Sequence, residues 1–251
     1  MKAKKLFVGG LAGLLLASAS AANATILTVF DGITDGVADF DSTVTGAGGT
    51  VGVDVWDTAF SGSSIDRGDY VITQNDGGTG SASSYGTLTG TAIGINPAGG
   101  GSIPRTDPMD YFGSGITFTF DSAVNAVGFE VGDWATCCTD PTTDLFISFD
   151  GGAPILVASA STNAEGLFPS QANPSNSVYE IFVAAFDDSD EFTQVSFWGN
   201  GIGEVLVAGG QVRYALLDQD SLPPTTPASA PASLLLIIGG SLLAARRRRS
   251  A

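Results

Sequence analysis

Histidine is absent from this chain of 251 residues. That removes Ser-His and Cys-His catalytic pairs, histidine metal sites and the commonest general base. Lysine occurs only as Lys2, Lys4 and Lys5 at the extreme N-terminus. The rest of the chain therefore cannot build a Schiff base or a phosphate-binding lysine loop. Apart from those lysines, the only cations are Arg67, Arg105, Arg213 and the run Arg246, Arg247, Arg248 and Arg249. Cysteine is limited to the adjacent pair Cys137 and Cys138. Between residues 25 and 220, long stretches of Leu, Glu, Lys and Arg, which favour helices, are missing as well.

The formal charge of −16 understates how acidic the middle of the chain is. All 26 acidic residues fall between Asp31 and Asp220, where three arginines face them, so this body carries a net charge of −23. Nucleic acid is excluded as a partner, because phosphate binding needs clustered Lys and Arg. An anionic membrane surface is disfavoured for the same reason. The charge suits a strongly solvated surface or divalent cations.

Short β-branched and aromatic runs separated by Gly, Asp, Asn and Pro fill the body, which points to an all-β domain over residues 25–220. Residues 26–30 form a first strand, Val51, Val53 and Val55 alternate with Gly52 and Asp54, and residues 70–74 and 85–95 follow. Ile116, Phe118 and Phe120 share one face, and Val127, Phe129 and Val131 share another, so residues 116–131 read as a hairpin turning at residues 121–123. A second hairpin turns at Gly151-Gly152. Strands at 178–186 and 192–198 flank an acidic turn, and two closing strands meet at Gly209-Gly210. Residues 75–84 and 96–108 read as loops. Ten to twelve strands at this spacing predict a single antiparallel β-sandwich of jelly-roll type.

Both ends differ from the body. The three lysines precede an apolar core at residues 6–17, and Ala22-Asn23-Ala24 is a small-x-small site. This is the layout of a secretory signal over residues 1–24, cleaved after Ala24 by signal peptidase once the export machinery has engaged it. At the other end a Pro-rich linker (221–230) leads into residues 231–251. There an apolar stretch at 234–245 runs into the four arginines, which would stay on the cytoplasmic side. Residues 231–245 number 15, short of the ~20 that a spanning helix needs, so this short C-terminal transmembrane helix suits a transient inner-membrane stop.

Ser229, Ala230, Pro231, Ala232 and Ser233, followed by the apolar stretch and the arginines, resemble the PEP-CTERM sorting signals read by exosortases in Gram-negative bacteria. Pro231 keeps the second proline of that motif, Ser229 stands for the first and Ala230 for the glutamate, as in variant tails of the Val-Pro-Leu-Pro-Ala kind. The segment from Gly128 to Trp134, with Cys137-Cys138 and Phe149-Asp150-Gly151-Gly152, is similar to body segments of such proteins. The resemblance implies sorting by an exosortase-like enzyme, a destination at the cell surface or outside the cell, and association with exopolysaccharide.

Candidate sites in the body are few. Asp31, Asp35, Asp39 and Asp41 surround two glycines, and Asp187, Asp188, Asp190 and Glu191 fill one turn. Each cluster reads either as turn chemistry, with Asp accepting local backbone bonds, or as a calcium site. Cys137 and Cys138, exported to an oxidising compartment, allow three states: a strained vicinal disulfide, two free thiols, or pairing to another chain. Trp134 and Trp198 belong either to the core or to a face that stacks on sugar rings. With no catalytic residue assigned, the expected function is non-enzymatic. The alternatives are a carbohydrate-binding module supported by calcium and, further off, a glycan-active enzyme built on two carboxylates, for which Glu130 and Asp133 lie near one strand end.

Overall fold

In a computed structural model of the chain, the described residues are 26–95, 107–136, 143–200 and 205–222. The signal segment with Ala22 and Ala24, the pair Cys137 and Cys138, and the tail residues 229–233 and 246–249 lie outside them.

Alternating apolar residues make the strands, which in chain order begin with β1 (Ile26–Asp31). After helix α1 (Ile33–Gly46) come β2 (Gly52–Val55), β3 (Phe60–Gly62), β4 (Ile65–Asp66), β5 (Tyr70–Gln74), β6 (Gly80–Ser84) and β7 (Thr91–Gly94). A 3₁₀ segment at Pro108–Ser114 precedes β8 (Ile116–Val124), β9 (Ala126–Gly132), β10 (Thr143–Phe149) and β11 (Ile155–Ala160). The rest are β12 (Phe168–Pro169), β13 (Ser177–Val178), β14 (Glu180–Asp187), β15 (Phe192–Gly199) and β16 (Val207–Ala215). The larger sheet has the order β1-β14-β9-β16-β7-β6-β3, with β2 also paired to β16. The smaller sheet has the order β11-β10-β15-β8-β5-β4. Every pairing is antiparallel and the two sheets face each other, so the body is the expected all-β sandwich.

Between the sheets, Val127, Phe129 and Val131 of β9 and Ile181, Val183 and Ala185 of β14 meet Ile116 and Phe118 of β8 and Phe197 of β15. Phe129 and Phe197 pack edge to face with centroids 4.5 Å apart. Apolar surface buried here drives folding at about 25 cal/mol per Å².

Helix α1 was not expected. Ile33, Val37, Phe40 and Val44 recur at helical spacing and lay one stripe on the outer face of the larger sheet. There Phe40 and Val44 pack on Phe182, Ala184 and Phe186. Both faces of β14 are thus covered, which is why all its residues but the last are buried.

Four other readings are corrected. Residues 116–131 are not a hairpin: β8 lies in the smaller sheet and β9 in the larger, and the chain crosses between sheets at Asn125. Residues 80–84, read as loop, form β6, whereas residues 85–90, read as strand, form a loop. Gly209-Gly210 is a bulge within the single strand β16, not a turn between two strands. The strand count is 16 among the described residues, because several are only two to four residues long. The hairpin at Gly151-Gly152 is present as β10 and β11.

Candidate functional site

The outer face of the larger sheet holds two buried acids. Glu130 of β9 lies opposite Phe182, and Glu180 of β14 lies opposite Gly132, so the two carboxylates are diagonal neighbours on the face that also carries α1. Glu130 is fully buried and Glu180 is 5% exposed. A buried carboxylate is tolerated only when donors satisfy it. One loop, residues 85–90, supplies most of them. The Thr87 N–H donates to Glu180 Oε1 at 2.8 Å, and the Thr87 hydroxyl donates to Glu180 Oε2. Two residues on, Thr89 repeats the pattern: its N–H donates to Glu130 Oε2 at 2.7 Å and its hydroxyl to Glu130 Oε1 at 2.5 Å. Gln211 Nε2 donates to the same Oε1 at 2.8 Å.

The strand geometry makes room for this. Gly210 has φ +67°, and a Cβ there would overlap the Glu130 carboxyl. Gly86, with φ +48°, abuts Glu180 in the same way. A second loop braces the first: Gln171 Nε2 donates to Thr87 O at 2.5 Å, and the Ser170 hydroxyl meets that of Thr87 at 3.1 Å. Arg213 Nη2 donates to Gln211 Oε1 at 3.1 Å, while its Nη1 pairs with Asp41 of α1 at 2.7 Å. Burial pushes the Glu130 carboxyl above the ordinary glutamate range; the Thr89 and Gln211 donors oppose that rise and the charge of Glu180 adds to it. Tyr85, at the start of the loop, is raised by burial and by its hydrogen bond to Asp133.

A second polar cluster ties the sheets together at another edge. Arg67 grips Asp54 with two bonds of 2.7 and 2.9 Å. The Tyr70 hydroxyl donates to Asp54 at 2.6 Å and accepts the Trp56 indole N–H at 2.9 Å. Burial works against the charge on Asp54, but Arg67 and Tyr70 outweigh it and hold the carboxyl below its ordinary range.

The candidate residues read from sequence fare differently. Trp134 and Trp198 are fully buried, so neither offers a ring face to a sugar, and the stacking role is corrected to core packing. Trp198 lies between Phe112 and Phe146 and donates to Pro108 O at 2.5 Å. Asp35, Asp39 and Asp41 sit on α1, not in a loop, and Asp41 turns to Arg213, while Asp31 accepts the Gly32 N–H at 2.6 Å. These four do not converge.

In the acidic turn, Asp187 accepts from the Ser189 N–H and hydroxyl, Asp188 from the Leu222 N–H at 2.6 Å, and Asp190 from the Glu191 N–H. Asp188, Asp190 and Glu191 line a hollow of about 480 Å³ with Asn125 and Gln219. Among the described residues no three acidic side chains gather closely enough to hold a metal ion.

Sequence reasoning singled out Glu130 but missed Glu180, Thr87, Thr89 and Gln211. The available signal was the Thr-x-Thr spacing at 87 and 89, which fits two neighbouring acceptors as well as it fits a strand. No protein family matches the chain, and neither does any curated protein.

Proposed function

We propose that this chain is an exported, non-enzymatic component of the cell surface or extracellular matrix, sorted through its C-terminal tail and associated with exopolysaccharide. One observation carries the reading: a lysine-led apolar segment at one end and an apolar segment closed by four arginines at the other bracket an acidic body free of lysine. The first engages export, the second halts it, and the arginines hold the halted end inside. The destination then follows from removal of the tail by an exosortase-like enzyme. The body's chemistry agrees with a scaffold: the buried Glu130 and Glu180 are spent on fastening loops, and the bidentate Arg67–Asp54 pair fastens the sheets.

The test is localisation in a Gram-negative host. A tag placed after residue 222 should be reachable by antibody or protease on intact cells. A tag found only in the cytoplasm contradicts export. The alternative, a calcium-supported carbohydrate-binding module, predicts binding on a glycan array that calcium strengthens.

A further inference from the structure

We infer that Thr89 and Gln211 are joined by an intramolecular ester, formed by the protein itself with Glu130 as proton carrier. Four groups meet at this point. The Thr89 hydroxyl is the nucleophile, and it donates to Glu130 Oε1 at 2.5 Å. The Gln211 carboxamide is the electrophile; its nitrogen lies 3.1 Å from the Thr89 hydroxyl oxygen, one bond away from the carbonyl carbon. That nitrogen, the leaving group, also contacts Glu130 Oε1 at 2.8 Å. The Gln211 carbonyl oxygen accepts from the Arg213 guanidinium at 3.1 Å. A hydroxyl, a base touching both it and the leaving nitrogen, and a cation on the oxygen where charge develops make up an acyl-transfer site.

The step balances without a further reagent. Thr89 Oγ1 bonds to the Gln211 carbonyl carbon while Glu130 takes the hydroxyl proton. Arg213 stabilises the negative charge that forms on Gln211 Oε1. Glu130 then returns the proton to the nitrogen, the C–N bond breaks, and ammonia leaves. Hydroxyl plus carboxamide has become ester plus ammonia, nothing is oxidised or reduced, and Glu130 ends ionised. Dilution of the ammonia opposes reversal. Burial of Glu130 raises its proton affinity above that of an ordinary glutamate, which suits a group that must hold the hydroxyl proton before passing it to the leaving nitrogen.

The surroundings discriminate among partners. Gln171 also touches the Thr89 hydroxyl, at 3.3 Å, but its amide nitrogen is committed to Thr87 O, and no cation meets its carbonyl among the described residues. Gln211 is 9% exposed and so better sheltered from water. Thr87 pairs with Glu180 as Thr89 pairs with Glu130, yet among the described residues its hydroxyl has no hydrogen bond to a glutamine carboxamide, which makes it an internal control. The bond would tie the 85–90 loop to β16 across 122 residues of chain. A body without lysine cannot be stapled by lysine amide bonds, so an ester is a cross-link its composition still permits.

The experiment is peptide mapping by mass spectrometry of the full chain, purified and reduced. The expected result is one peptide pair, holding Thr89 and Gln211, lighter than the sum of the two by one ammonia and separated by mild alkali. Thr87→Ala should keep the pair. Thr89→Ala, Glu130→Gln and Gln211→Glu should lose it, the last with little change of shape. Recovery of the Thr89 and Gln211 peptides separately at unmodified mass overturns the inference. So does linkage to Gln171, or an ammonia loss confined to Asn200-Gly201, where a succinimide can form without a cross-link.

Discussion

Asn125 shows how much one side chain carries. It sits 2% exposed where the chain leaves β8 for β9, and its amide copies a strand peptide. Nδ2 donates to Leu217 O at 3.1 Å and Oδ1 accepts the Leu217 N–H at 2.7 Å. Its own backbone bonds Ala215 and Asp187. Asn125→Ala leaves two buried backbone groups unpaired and is expected to cost about 2–4 kcal/mol in denaturant unfolding.

Two other residues give the stability profile its shape. The folded-state pKa of Glu130 lies above the ordinary value, so the folded protein binds that proton more tightly than the unfolded chain does. Stability therefore rises as pH falls through the raised value, and the gain is complete below about 4.3. Asp54 acts in the opposite sense: its contribution is present above about 3.9 and is lost as pH falls further, through its lowered folded pKa. Melting temperature against pH should show the gain and then the loss. Glu130→Gln should abolish the first phase alone.

The sequence discloses elements better than it discloses their partners. Alternation at Ile116, Phe118, Phe120 and at Val127, Phe129, Val131 marks two strands correctly, but alternation is silent about which sheet each joins. That is decided by Asn125 and by Leu217, 92 residues away. Helix α1 was legible in the spacing of Ile33, Val37, Phe40 and Val44, and was hidden by Gly36, Gly46 and the threonines around them. The loop at 85–90 reads as strand in sequence because the acceptors of Thr87 and Thr89 lie 93 and 41 residues away.

The helix also makes a paired prediction. A Cβ on Gly36 would lie 2.8 Å from Phe182 Cβ, which cannot swing aside, whereas Gly46 has nothing within 4 Å. Alanine in a helix is worth up to ~1 kcal/mol over glycine. Gly46→Ala is therefore expected to stabilise by a few tenths of a kcal/mol or more, as helix ends gain less. Gly36→Ala is expected to lose about 1–2 kcal/mol, because overpacking exceeds the propensity gain. Parallel thermal melts of the two variants check the contrast.

At the scale of the molecule, charge and chain ends govern. With 26 acids against three arginines in the body, self-repulsion opposes the folded state and added salt screens it. The melting temperature of the body should rise with sodium chloride, and a flat response would contradict that. The same imbalance fits a protein that stays dispersed outside the cell, and the two cationic, apolar ends are what would take it there. Mapping both termini of the form released from a Gram-negative host tests this most directly. The account predicts a chain that begins at Thr25 and lacks residues 246–249. A released chain that still carries Met1 and the four arginines would contradict it.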